Sequence, residues 1–370
     1  MRFIFLLFTS LILSGGHSQE WVETFYSNDI LKEKYQIEIV NNDTIRDGKY
    51  EIFYKSGILW QTGIYRNDQL DSIWLDFHPN GFLKQVLPFK NGFLEGVLNT
   101  YDNTGNLFQE IPFKNDRING LLKIYYADGK IQESSLYLND LMHGAYHSYY
   151  ENGILAESKQ FSYGVEEGPY IAYFDNGKIK EESHKKQGKY DGEFKGYYKL
   201  EKKTLQKECS YLNGKLNGEM IGYYTDGRLM LRSYYKNDLL EGAYTKYFSS
   251  SVLLDTSKTV IAEKGEFRQG YRDASWTSYY PNGAIYTEGG YILGKFDGAW
   301  KVYWNNGNLK QEGYYENDLA NGHWKFYSEK QKLLKEGDYV NDLEEGEWIL
   351  YRSKNKKTPI VYSKGEIVDQ

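Results

Sequence analysis

The chain has 370 residues, among them 37 Tyr, 18 Phe and 8 Trp, so aromatics make up 17% of it, while Pro numbers only 6. That aromatic load excludes a disordered chain, the scarcity of Pro excludes collagen, and a net charge of −6 removes any general attraction to nucleic acid or anionic membranes. The single cysteine, Cys209, excludes an intramolecular disulfide and has no partners for a structural zinc site.

At the N-terminus, Arg2 is followed by a largely apolar run from Phe3 to Leu13 and then by small and polar residues up to Ser18. This order predicts a secretory signal peptide over residues 1–18, cleaved before Gln19. The run is too short to span a bilayer, which takes about 20 residues, so export to the periplasm or the extracellular space is expected.

From there on the chain is periodic, and the period replaces any count of globular domains. With Gly48 as position 0, the same position falls at Ser72, Gly96, Gly120, Gly144, Gly168, Gly192, Gly218, Gly242, Ala274, Gly298, Gly322 and Gly346. The step is 24 residues, apart from insertions of two after Gly192 and eight after Gly242, giving thirteen units over residues 48–370. Residues 19–47 carry a worn copy, with Phe25, Tyr26, Leu31 and Glu33 in the matching places, and read as a divergent N-terminal capping repeat.

Within a unit, position 5 is always aromatic, from Phe53 to Tyr351, and position 2 is always apolar and usually aromatic. Position 11 is Leu or Ile in twelve units, and position 17 is aromatic in eleven of the first twelve, Lys185 being the exception. Positions 0 to 6 read as a strand, positions 7 to 9 as a turn such as Asn152-Gly153, positions 10 to 18 as a second strand, and positions 19 and 20 as a second turn such as Asn91-Gly92 or Asn139-Asp140. Each unit is thus an antiparallel β-hairpin. A lone hairpin is marginal in water, so the units must stack. The predicted fold is all-β, an elongated array of about thirteen hairpins whose strand twist makes the sheet curved or superhelical. Positions 2 and 5 should face opposite sides unless a bulge at position 0 changes the parity.

The unit Gly298-Ala-Trp-Lys-Val-Tyr-Trp-Asn-Asn-Gly-Asn-Leu-Lys-Gln-Glu-Gly-Tyr-Tyr-Glu-Asn-Asp-Leu-Ala-Asn321 resembles the MORN repeat in its bacterial variant, the type found in YwqK-family antitoxin-like proteins. The resemblance rests on the Gly-x-Trp-x-x-Tyr opening, the Asn-Gly turn, the Leu-x-x-Glu stretch and the Tyr-x-Asn-Gly/Asp close. It implies hairpin arrays that serve as protein-interaction scaffolds, with lipid binding in some members and toxin neutralisation in the YwqK type. This chain differs from those settings in its signal-like N-terminus and its acidic balance.

An enzyme needs polar groups converging on one place, and a catalytic residue in an array should break the period. His78, His143, His147, His184 and His323 each occupy a different position, so no metal-binding set is expected. Glu110, Glu133, Glu157, Glu181, Glu288, Glu312 and Glu336 recur at positions 13 and 14. A catalytic pair is needed once, so these read as solvent-facing residues that keep the sheet soluble. The Asn-Asp and Asn-Gly turns offer too few oxygens for calcium, and neither a phosphate loop nor a Gly-x-Ser-x-Gly elbow occurs. No catalytic residue, metal or cofactor is expected.

The candidate binding residues are Trp276, Trp300, Trp324 and Trp348, at position 2 of four consecutive units. Exposed, they could stack on sugars or anchor a protein partner; buried, they are core. The insertion within Ser249–Val260 lengthens one hairpin and reads as an extension of its tip. The expected function is an exported, non-enzymatic repeat scaffold that binds protein. The alternatives are a YwqK-type antitoxin or immunity protein and a carbohydrate-binding aromatic surface. Protein is the expected partner and glycan the second; nucleic acid and membrane lipid are not expected.

Overall fold

The computed structural model describes residues 19–352 and 357–369, apart from Asn28 and Leu254. The predicted signal peptide, residues 1–18, lies outside them. The chain divides between Lys178 and Ile179 into two compact units. Among the described residues both consist of antiparallel strands, and the one helical element is a 3-10 turn at Ser250–Val252.

In the first unit, strands Gln69–Phe77 and Leu83–Lys90 pair as Ser72↔Phe89, Trp74↔Leu87 and Phe77↔Leu83. The loop between them closes through His78 N–H to the Phe82 carbonyl and Gly81 N–H to the His78 carbonyl, both at 2.8 Å. Gly81 takes a φ of 89° there, which only glycine adopts without cost. The other turn has just two residues with positive φ, such as Asn67 at 48° and Asp68 at 61°, the mirror-image turn whose twist matches a hairpin. So tight a turn lets pairing resume at once, as Arg66↔Gln69. Pairing in most hairpins therefore begins three residues ahead of position 0, as at Gln69, Leu141 and Lys295, a shift from the strand limits expected above.

Position 0 is a bulge. Thr62 pairs with Leu75 and Ile64 with Asp71, which leaves Gly63 alone opposite the three residues Ser72 to Trp74. The bulged residue has positive φ whatever its type, 114° at Gly48 and 59° at Ser72. Strand Glu20–Phe25 pairs with Leu31–Val40 as Glu20↔Ile37, Val22↔Tyr35 and Phe25↔Leu31, the register of the repeats themselves.

The second unit repeats this plan. Strands Lys295–Tyr303 and Leu309–Glu316 pair as Gly298↔Tyr315, Trp300↔Gly313 and Tyr303↔Leu309, and Ala274 holds the bulge at φ 57°. The last hairpin is one residue shorter: Gly346 pairs with Tyr362 and the ladder has no register shift. Tyr362 thereby takes the aromatic place that a fixed step of 24 misses.

Positions 2 and 17 fill one face of the sheet. In the second unit Trp276, Tyr291, Trp300 and Val302 form a buried cluster flanked by Tyr244, Phe267, Phe296 and Tyr315. In the first, buried Trp74 meets Tyr50, Tyr65 and Phe89 with centroids 5.1–6.4 Å apart. A single sheet layer has no second sheet to pack against, which is why its core needs side chains as large as Tyr and Trp.

Candidate functional site

The four tryptophans proposed as a binding ladder are buried: Trp276, Trp300, Trp324 and Trp348 are 3%, 9%, 2% and 1% exposed. They alternate edge-to-face with Tyr291, Tyr315, Tyr339 and Tyr362, with centroids 5.0–6.1 Å apart. Of the two readings of these rings, burial decides for core: together with the tyrosines between them they cover one face of the hairpins.

A second residue type makes room for them. A Cβ on Gly265, Gly289, Gly313 or Gly337 would sit 1.7–2.3 Å from the indole of Trp276, Trp300, Trp324 or Trp348, and one on Gly63 would sit 2.1 Å from Trp74. These five glycines are all at position 15. Wherever position 2 of the next hairpin is smaller than Trp, position 15 carries a side chain, as at Leu87, Ile111, Ser135 and Cys209. Three of the indoles then donate Nε1–H to the carbonyl of the residue after the glycine: Trp74 to Ile64, Trp276 to Glu266 and Trp348 to Asp338, at 3.0–3.1 Å.

The recurrent carboxylates are not simply solvent-facing, contrary to the expectation from sequence. Tyr125, Tyr303, Tyr327 and Tyr351 donate their hydroxyls to Glu110, Glu288, Glu312 and Glu336 at 2.5–2.9 Å. Tyr197 and Tyr223 do the same to Glu182 and Glu208, Tyr146 and Tyr170 bond Glu133 and Glu157, and Ser183 bonds Glu181. Tyr125, Tyr197, Tyr223, Tyr303, Tyr327 and Tyr351 are at position 5, so their ladder lies on the face opposite the tryptophans, as the parity of positions 2 and 5 predicts, whereas Tyr146 and Tyr170 are at position 2 and bond position 13 glutamates on the tryptophan face. Burial, reinforced by the carboxylate each one bonds, pushes Tyr223, Tyr303 and Tyr327 up to about 12. The Tyr351 hydroxyl, ahead of His323, holds Glu336 below the usual carboxylate range.

Other candidates are also spent within or between hairpins. In the first unit Tyr54, Tyr126 and Tyr150 donate to the carbonyls of Phe77, Tyr149 and Tyr173 at 2.6–2.8 Å. His78 occupies the same position, with Nε2 3.1 Å from the Tyr101 carbonyl. His323 lies between Asp338 at 2.8 Å and Glu336 at 3.3 Å. Among the described residues, no group of three His, Cys, Asp or Glu side chains is placed to hold a metal. The turn aspartates accept backbone N–H groups from the start of the hairpin that they follow: Asp116 that of Leu94, Asp140 that of Ile118 and Asp342 that of Ala320, at 2.6–2.7 Å. Cys209 is buried, which raises its thiol pKa. In the insertion, Ser250 bonds the Asp226 carboxylate of the neighbouring turn at 2.6 Å, and Leu253 is buried.

One feature escaped the sequence reading. Positions 1 and 16 are cross-strand neighbours on the face opposite the tryptophans, and in the first unit three successive pairs are apolar: Ile73↔Pro88, Val97↔Pro112 and Leu121↔Leu136. Ile73, Val97 and Leu121 are about half exposed. The corresponding pairs in the second unit are mostly polar, among them Glu193↔Ser210, Glu219↔Tyr234 and His323↔Asp338. Reading positions 1 and 16 as a pair, rather than separately, would have exposed the contrast.

Fold and bonds together define a β-hairpin repeat scaffold. Six stretches, residues 46–67, 94–115, 118–139, 166–185, 216–237 and 296–317, match the model of the MORN repeat variant, so the chain carries repeats of that kind. No curated protein matches the chain. Solved structures similar over 93% of this chain include a crystal structure of TcdB2-TccC3, at 9% identity, a TM-score of 0.15 and 26% of that chain covered. A Photorhabdus luminescens Tc holotoxin pore carrying the TccC3 mutation D651A matches at 9% identity and a TM-score of 0.13, with 24% of it covered. The chain spans about a quarter of the length of these proteins, and so low a TM-score supports no argument from them.

Proposed function

We propose that this protein is an exported, non-enzymatic scaffold whose hairpin array binds other proteins. The observation that carries the reading is where the repeated polar groups go. The carboxylates, turn aspartates and position 6 rings that could have supplied chemistry are occupied in bonds within and between hairpins. What differs from hairpin to hairpin is the outward-facing side chains, and recognition that varies along a constant frame is how repeat scaffolds work. The N-terminal Arg2 and apolar run support export.

The test is crosslinking and mass spectrometry on the native cell envelope, with a hydrolytic assay on a glycan panel beside it. Specific protein crosslinks mapping to outward positions support the reading. Hydrolysis by the purified chain, or its recovery only from the cytoplasm, overturns it.

A further inference from the structure

One edge of the second unit carries positive charge that the chain itself leaves unmatched. Six consecutive strands, from Ile179–Lys186 to Leu239–Tyr247, are joined there in pairs by two-residue turns, and the residues flanking the turns pair as Lys186↔Lys189, Leu212↔Lys215 and Lys236↔Leu239. All six side chains are exposed. The first of each pair stands two residues after position 16, so strand alternation puts it, and the neighbour opposite it, on the face away from the tryptophans. At ~4.8 Å per strand, this row of Lys-Lys-Leu-Lys-Lys-Leu is about 24 Å long.

Three features set the row apart. None of its four lysines makes an ion pair, whereas Lys203, Arg228, Arg232 and Lys258 of the same unit hold Glu182, Asp226, Glu219 and Asp255 at 3.1–3.8 Å. The carboxylates beside it are engaged elsewhere: Asp191 accepts the Asn213 N–H at 3.0 Å and Asp238 that of Leu216 at 2.7 Å. Lys186 and Lys189 stand directly opposite each other, a like-charge pair that costs the hairpin stability until an anion lies across it. Between and beyond the lysines, Leu212 and Leu239 are 51% and 52% exposed.

We propose that this row docks an extended segment of a partner protein in which acidic and aliphatic residues alternate. The unmatched charge selects an anionic partner. The leucines select its class, because a polyphosphate, a nucleic acid or an acidic glycan has no aliphatic side chain to cover them. An anionic membrane would meet Asp191, Asp238 and the chain's net charge of −6 as well as the lysines. Eight extended residues at ~3.3 Å each match the length of the row. The inference names the partner class of the scaffold proposed above and rests on that reading.

The test is fluorescence anisotropy of the mature chain with a labelled octapeptide of alternating Glu and Leu. Its binding should weaken about 10-fold or more between about 50 and 500 mM salt. Lys186→Gln, Lys189→Gln, Lys215→Gln and Lys236→Gln together should weaken it about 10-fold or more, and Leu212→Ser with Leu239→Ser severalfold. The same change of charge at the opposite edge, Lys199→Gln, Lys202→Gln, Lys203→Gln and Lys258→Gln, should leave it within about twofold. Near-ultraviolet circular dichroism checks that the variants fold. No binding at about 1 mM peptide, equal losses in the two quadruple variants, or tighter binding of polyphosphate or of vesicles containing phosphatidylserine overturns the proposal. Envelope crosslinks to protein at other outward positions, with none at these four lysines, overturn it and leave the scaffold reading standing; no protein crosslink anywhere overturns both.

Discussion

Adding one methyl group at Gly337 tests the complementarity between glycine and tryptophan. Its φ is not in the left-handed region, so alanine there is not strained by the backbone, and loss of glycine's unfolded-state entropy would by itself stabilise the fold by about 0.4–1 kcal/mol. The packing argues the other way. The new Cβ would lie 2.2 Å from Cδ2 of Trp348 and 2.4 Å from its Cγ, so the ring must move by about 1.5 Å to regain ordinary contact. Trp348 is 1% exposed, bonded to the Asp338 carbonyl at 3.1 Å and packed edge-on against Tyr339 and Tyr362. Overpacking costs about 1–3 kcal/mol, and a displaced indole also loses a bond worth about 1 kcal/mol. The net expectation for Gly337→Ala is a loss of about 2–3 kcal/mol. Trp348→Leu should recover part of it, since Leu98 and Leu122 fill position 2 where position 15 of the preceding repeat is Leu87 and Ile111; the double-mutant cycle should give a coupling above about 1 kcal/mol. Urea denaturation followed by hydrogen exchange over Leu333–Val340 and Leu343–Tyr351 reads the effect locally, as an array that need not unfold in two states requires. An alanine variant as stable as wild type, with Trp348 equally shielded from a quencher, would refute the packing account.

Four further outcomes follow from particular bonds and backbone angles. Tyr223, Tyr303 and Tyr327, raised to about 12 in the fold, contribute stability that is complete below the ordinary tyrosine value near 10 and is lost as pH rises through 12. Ultraviolet absorbance titration should show them ionising together with alkaline unfolding, and Tyr303→Phe should remove one late phenol and about 1 kcal/mol of stability. Glu336, held low by Tyr351 and His323, works in the opposite sense: its contribution is present above the ordinary glutamate value near 4.3 and fades as pH falls through its lowered value, so Glu336→Gln should flatten that acid limb in a pH-dependent denaturation series. At the turn residue Asp342, φ 68° and bonded to the Ala320 N–H, Asp342→Gly should lose about 1 kcal/mol and Asp342→Ala about 2 kcal/mol, because glycine alone relieves the positive φ; thermal unfolding midpoints should fall in that order. Ala274→Gly, at a bulge with φ 57°, should stabilise by about 0.5 kcal/mol once glycine's entropy is set against the relieved strain, and an unchanged or lower midpoint would contradict the bulge assignment.

The period was legible because each hairpin reuses the same positions for the same contacts. Position 5 is aromatic in every unit since its rings close one face of the hairpin, and where Glu stands at position 14 of the preceding unit their hydroxyls bond its carboxylate, as Tyr303 does with Glu288. The Asn-Asp turns were legible because two consecutive positive φ angles suit few residues. The role of the glutamates was not, since a carboxylate at alternating spacing looks the same whether it faces water or a tyrosine fifteen residues ahead. The tryptophan ladder could be read as core or as surface, and exposure alone decides between the two. Its signal was present all the same in the glycine eleven residues before each of Trp74, Trp276, Trp300, Trp324 and Trp348.

By itself, then, the sequence determined the all-β hairpin array, its step of 24 residues and its two kinds of turn, because these depend on local backbone preferences and on a repeat of apolar side chains. Only the tertiary structure decided that the strands start three residues earlier than the period suggests, that position 0 is a bulge, that Tyr362 completes the aromatic row, and that the apolar pairs from Ile73 to Leu136 share one exposed face. Each of those depends on which residue of one strand lies opposite which residue of the next. Register is a property of two strands together, and no single strand's composition contains it.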